Sequence, residues 1–126
     1  MHPAHPDGGI PALSVQEAAA RLEDGSSALL VDVREVNEYV ALRAADTLLV
    51  PLSELAARLP DIPRDRPLLL VCRSGARSGR ATLFLLQQGY TDVHNVAGGM
   101  IAWQAAGLPT RTGPLGPGEG QPAPTT

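Results

Sequence analysis

Residues 68–80 read Leu-Leu-Leu-Val-Cys-Arg-Ser-Gly-Ala-Arg-Ser-Gly-Arg, with the chain's single cysteine at position 72. Leu68–Cys72 is a continuous apolar run of strand length, as expected of a strand covered on both faces. Gly75 then marks a turn, and Arg77–Gln88 carries helical spacing until Gly89 stops it. The same alternation extends in both directions. Downstream, Val93–Val96 predicts a short strand and Met100–Ala106 a last helix before Gly107-Leu108-Pro109. Upstream, Leu52, Leu55, Ala56 and Leu59 share a helical face closed by Pro60 and Pro63, after a strand at Thr47–Val50. Before these lie a short helix at Glu35–Leu42 and a buried strand at Ala28–Val33. Ser14 and Glu17 fit a capping box that opens a helix through Val15, Ala18, Ala19 and Leu22 to Gly25. Strands and helices that alternate with short links predict an α/β fold: an open parallel sheet with helices on both faces.

The ends differ from this middle. Residues 1–11 and 110–126 are rich in Pro and Gly and poor in apolar side chains, so both are expected to be flexible tails around a domain at 12–109. His2 and His5 stand in the first tail with no helix to hold them as metal ligands, and they read as solvated side chains. The chain has 126 residues, of which 44% are hydrophobic, and this suffices for one self-contained core. No apolar run is long enough to span a bilayer, and no basic start with an apolar stretch marks a secretion signal. A single cysteine excludes a disulfide framework and a multi-cysteine zinc site. No metal or organic cofactor is implied. A reactive unpaired thiol fits a reducing, cytoplasmic compartment.

Charge is uneven. The formal charge is −3, yet residues 66–91 contain no carboxylate and four arginines: Arg66, Arg73, Arg77 and Arg80. Four charges without interleaved aromatics are too few for a nucleic-acid footprint; a small anion is the better-sized partner. Cys72 sits inside this stretch, at the end of a strand and before a glycine-bearing turn into a helix. In open α/β sheets ligands lie beyond the carboxyl ends of strands. A turn of this kind can aim successive backbone N–H groups inward, and such donors lower a thiol's pKa and hold an anion beside it. Arg73 and Arg77 can add charge-assisted hydrogen bonds. Cys72 therefore reads as a reactive thiolate. His94 is a poor base for it, because its place on a short strand makes it a half-exposed side chain. Four residues separate Cys72 from Arg77. The phosphatase pattern has one more, and the shorter ring leaves less room for a tetrahedral oxyanion.

Three segments resemble the rhodanese (thiosulfate sulfurtransferase-like) domain family in its single-domain form. Val31-Asp32-Val33-Arg34-Glu35 with Glu38-Tyr39 resembles the first signature of that family. Residues 72–78, Cys-Arg-Ser-Gly-Ala-Arg-Ser, are similar to its active-site loop, and Asn95–Trp103 with Gly107-Leu108-Pro109 resembles its closing signature. The resemblance implies that Cys72 is the nucleophile that carries sulfur as a persulfide. The main chain of Arg73, Ser74, Gly75, Ala76, Arg77 and Ser78 would form its cradle, and Asp32 and Arg34 would support the site. Arg73, directly after the cysteine, favours thiosulfate over mercaptopyruvate as donor. Gly98, Gly99 and Trp103 would be fold determinants. One segment departs from the pattern: Leu42-Arg43-Ala44-Ala45-Asp46-Thr47 keeps the length but not the residues found in relatives. Arg43 there reads as a solvated loop residue.

The resemblance thus implies a sulfurtransferase that takes sulfane sulfur from thiosulfate-type donors and passes it to cyanide or a thiol. The alternative is an interaction or sulfur-relay module that serves a sulfur-acceptor protein with little small-molecule turnover. A phosphatase or arsenate reductase is the third reading, weakened by the short loop.

Overall fold

The computed structural model describes residues 9–122; His2, His5 and most of the predicted first tail lie outside the described residues. Five strands form one parallel sheet: β1 (Ala12–Leu13), β2 (Leu29–Asp32), β3 (Thr47–Leu49), β4 (Leu68–Val71) and β5 (Val93–Val96). Their spatial order is β1-β5-β4-β2-β3, which places β4, the strand that leads to Cys72, at the centre. Three α-helices connect strands, α1 (Val15–Glu23), α2 (Val36–Ala41) and α3 (Ala76–Gln87), and a fourth, α4 (Gly99–Ala105), follows β5. The expected α/β architecture is therefore present. No helix among the described residues is long and apolar enough to cross a membrane.

Alternation along the central strands divides the core in two. Leu68, Leu70 and Cys72 join Val31, Val33, Leu48, Ala81, Leu85 and Val93 on one face, under α3. Leu69 and Val71 join Leu30, Val15, Ala18, Met100 and Trp103 on the other, under α1 and α4. Period-two exposure to both layers explains why β4 reads as an unbroken apolar run. Trp103 packs in the second layer and donates its indole N–H to the Pro109 carbonyl at 3.0 Å, which ties the end of α4 to the following turn. Ser14 caps α1: its hydroxyl accepts the Glu17 N–H at 3.1 Å, and Glu17 accepts the Ser14 N–H at 2.9 Å.

The structure departs from the sequence reading in three places. The helical face at 52–59 becomes two 3₁₀ turns, Leu52–Glu54 and Leu59–Asp61. Pro60 restrains Leu59 from continuing an α-helix, while Leu55 still reaches the core. β1 is two residues long, too short to leave a period in the sequence. The third departure is the C-terminal segment. Residues 111–121, expected to trail from the domain, lie against it as a strap. Arg43 and Arg111 exchange backbone hydrogen bonds at 2.9 and 2.7 Å, and the Leu49 N–H donates to the Gly120 carbonyl at 2.9 Å. Gly120 thereby covers part of β3, an edge strand whose outer backbone groups need partners.

Arg43 holds this strap, and the reading of Arg43 as a solvated loop residue is corrected: it is 2% exposed. Its guanidinium donates to Glu119 Oε1 at 3.0 Å and to the Gly113 carbonyl at 2.8 Å, and lies over the Tyr39 ring. The Arg43 guanidinium holds the Glu119 carboxyl at a pKa of about 2. Segment 42–47 thus supplies the anchor for the chain's C-terminal residues. Replacing a buried cation whose partners stay behind leaves a carboxylate and several carbonyls unpaired. Arg43→Ala is expected to lower Tm by roughly 5 °C or more. Deletion of residues 110–126 should lower it comparably, and the two together should fall short of additive. Thermal unfolding followed by circular dichroism checks this; an unchanged Tm in Arg43→Ala would contradict it.

Candidate active site

β4 ends at Val71, and the next residue brings its sulfur into the turn that starts α3. Gly75, the residue before α3, has φ +107°, a left-handed conformation that side chains resist. This bend turns the Gly75 N–H back to donate to Cys72 Sγ at 3.1 Å. Ser78, in the first turn of α3, places its hydroxyl 3.3 Å from the same sulfur. The whole of Cys72 is buried, and the polar groups that the sulfur meets belong to the loop that follows it.

Loop amides can face the sulfur only if loop carbonyls face elsewhere. The start of α4 takes two of them. The Met100 N–H donates to the Cys72 carbonyl at 2.8 Å, and the Ile101 N–H to the Arg73 carbonyl at 3.1 Å. A side chain on Gly99 would collide with those same two carbonyls, and its φ is +58°. Glycine at 99 is therefore a requirement of contact between α4 and the thiol loop. The Gly75 carbonyl accepts from Gly79 N–H at 2.9 Å and from Asn95 Nδ2 at 3.1 Å.

Burial alone would push the Cys72 thiol up. The Ser78 hydroxyl and the amides of Ser78, Gly75 and Ser74 outweigh it, so the thiol lies below its ordinary value. Hydrogen bonds to the charged form win over desolvation here.

The two loop arginines separate in role. Arg77 does not reach toward the sulfur as a free cation. Nη1 and Nη2 donate to the two carboxylate oxygens of Glu38 on α2, both at 2.8 Å. This fork holds the Glu38 carboxyl at a pKa of about 2 and raises Arg77 further. Arg73 is exposed and has no carboxylate partner among the described residues. Asp32, the last residue of β2, and Arg34 pair with each other at 2.8 Å, both buried. Arg34 also donates to the carbonyls of Glu38 and Leu42, at 3.3 and 2.6 Å. The pair anchors α2, and through α2 it sets where Glu38 meets Arg77.

Two residues here escaped the sequence reading as site residues. Glu38 was visible only as part of a motif, because its partner is distant in the chain. Asn95 is fully buried on β5 and touches both Gly75 and Ser78. The signal for it was an amide inside the short strand Val93–Val96, where a buried polar group demands partners. His94 is half-buried and pairs with Asp92 at 3.0 Å, away from the thiol. A cleft of about 760 Å³ opens elsewhere, between the starts of β2 and β3 and the strap, lined by Asp46, Asp61, Arg66 and Arg111 among others.

Comparison with known proteins places this geometry in context. A family model described as a rhodanese-like domain matches residues 14–106. A sulfurtransferase of Allochromatium vinosum is 43% identical over 94 residues, which cover 75% of this chain and 88% of that protein. The crystal structure of a thiosulfate sulfurtransferase from Pseudomonas aeruginosa is 28% identical with a TM-score of 0.75, over 83% of this chain and 21% of that one. The structure of an NAD-dependent persulfide reductase from A. fulgidus is 33% identical with a TM-score of 0.62, over 77% of this chain and 16% of that one. Those two solved structures are thus matched over only a small part of their length.

The ion pair that holds Arg77 makes an acid-side prediction. Glu38 is depressed from 4.5 to about 2, so its contribution to stability is complete above pH 4.5 and fades as pH falls toward 2. Glu38→Gln removes that dependence. Urea unfolding between pH 2 and pH 6 should show a shallower acid limb for Glu38→Gln than for the wild type. Parallel limbs would contradict the pairing.

Proposed function

The chain belongs to the rhodanese-like domain family, and on that premise we propose that it is a sulfurtransferase that carries sulfane sulfur as a persulfide on Cys72. The observation that carries this reading is the sulfur's surroundings. Sγ accepts from the Gly75 amide and sits beside the Ser78 hydroxyl, in a loop whose carbonyls are turned away. Such a ring stabilises a thiolate, and after transfer it can stabilise the terminal persulfide sulfur in the same way.

The first half-reaction is a displacement at sulfur. The Cys72 thiolate attacks the sulfane sulfur of thiosulfate; a new S–S bond forms, the S–SO₃ bond breaks, and sulfite leaves with the bonding pair. In the second half, cyanide or an external thiolate attacks the terminal sulfur. Thiocyanate or a new persulfide departs, and the Cys72 thiolate returns. The chain has no second cysteine, so the acceptor thiol comes from outside. Because Arg77 is engaged by Glu38, Arg73 is the loop cation free to meet an anionic donor. The chemistry needs no metal or organic cofactor.

A second reading is favoured by the same count of charges. With Arg77 engaged, the loop offers little grip on a small dianion, which suits a domain that receives or hands on sulfur at a protein surface.

Intact-mass measurement after thiosulfate treatment should show one added sulfur atom on the wild type and none on Cys72→Ser. Absence of the adduct on folded wild type sinks the thiosulfate reading. A protein persulfide donor would then decide for or against the relay. For thiosulfate turnover, Arg73→Ala should raise KM about tenfold with kcat little changed, since loss of one charge-assisted contact costs ~1.5 kcal/mol. Unchanged KM would remove Arg73 from donor binding.

A further inference from the structure

Asn95 joins the two parts of the loop that meet the sulfur. Nδ2 donates to the Gly75 carbonyl at 3.1 Å, and Oδ1 lies 2.6 Å from Ser78 Oγ. A carbonyl oxygen only accepts, so the amino end of the carboxamide is committed to Gly75 and its oxygen end to Ser78. Gly79 leaves room for it: a Cβ there would stand 3.4 Å from Nδ2. Ser78 Oγ is also 3.3 Å from Cys72 Sγ. The serine hydroxyl has one proton and faces two acceptors, the Asn95 oxygen and the sulfur.

We propose that Asn95 is a positioning residue that restrains ionisation of the Cys72 thiol by competing with it for the Ser78 proton. With Cys72 as a thiol, the bonds run in one direction: the S–H donates to Ser78 Oγ, and Ser78 donates to Asn95 Oδ1. When the sulfur loses its proton to water, the Ser78 hydroxyl turns to donate to the thiolate. Asn95 Oδ1 then stands buried without its donor, which costs free energy. The carboxamide opposes the pull of the loop amides in this way. A thiolate held too firmly is a weak nucleophile, and attack on sulfur is fastest when the thiol's pKa lies near ambient pH. The charged groups around the thiol stay in place throughout: Arg73 next to it, Arg77 with Glu38 of α2, and Asp32 with Arg34 at the end of β2.

This inference rests on Cys72 being the nucleophile proposed above, but its test reads the thiol directly and needs no sulfur donor. The rate of alkylation by iodoacetamide against pH gives the thiol's midpoint in the full chain. Asn95→Leu should lower the midpoint by about one pH unit, a roughly tenfold gain in thiolate fraction below it. Ser78→Ala should raise the midpoint, and Asn95→Leu added to Ser78→Ala should leave it where Ser78→Ala put it. A midpoint that is unchanged or raised in Asn95→Leu overturns the proposal, as does a shift that persists without Ser78. A wild-type measurement serves if the variant does not fold. The Asn95 side-chain carbonyl ¹³C resonance should move through the same midpoint as the thiol, and a resonance indifferent to the thiol's titration overturns the proposal. These shifts in a chain inert toward sulfur donors would instead remove the sulfurtransferase reading alone.

Discussion

The grip of α4 on the thiol loop is the constraint on which the rest of the site depends. The Met100 and Ile101 amides take the carbonyls of Cys72 and Arg73. Buried backbone groups must all be paired, and this pairing commits the loop's carbonyls to one side and leaves its N–H groups for the sulfur. Gly99 makes the approach sterically allowed, and Gly75 makes the return bend allowed. Two glycines far apart in sequence therefore serve one requirement, a ring of donors around a buried sulfur.

Electrostatics around that ring is divided among pairs. Glu38 occupies Arg77, and Asp32 occupies Arg34, so these charges beside the ring are paired within the chain. The thiol is left to the neutral donors: the amides of Ser74, Gly75 and Ser78 and the Ser78 hydroxyl.

The strap lies outside the segment matched to the family. The family match ends at residue 106, and residues 111–121 continue along the edge of the sheet. Arg43 fastens them through Glu119 and the Gly113 carbonyl. Proline and glycine content argued for a free tail because such residues bury little. The contacts that order the strap are instead backbone hydrogen bonds and one ion pair, which composition does not report.

What the sequence determined by itself was local: the alternation of strands and helices, the capping box at Ser14, the turn at Gly75 and the placing of Cys72 at a strand end. Each is written in residues that are neighbours in the chain, through period, capping and φ preference. Tertiary structure decided everything that joins residues far apart. Arg77 meets Glu38 across 39 positions, Arg43 meets Glu119 across 76, and Asn95 meets Ser78 across 17. Of the two arginines that follow Cys72 in the loop, Arg73 is thus exposed and Arg77 is neutralised by a carboxylate. No local pattern encodes such partners, because their proximity is created by the packing of α2 and β5 against α3 and of the strap against the edge of the sheet.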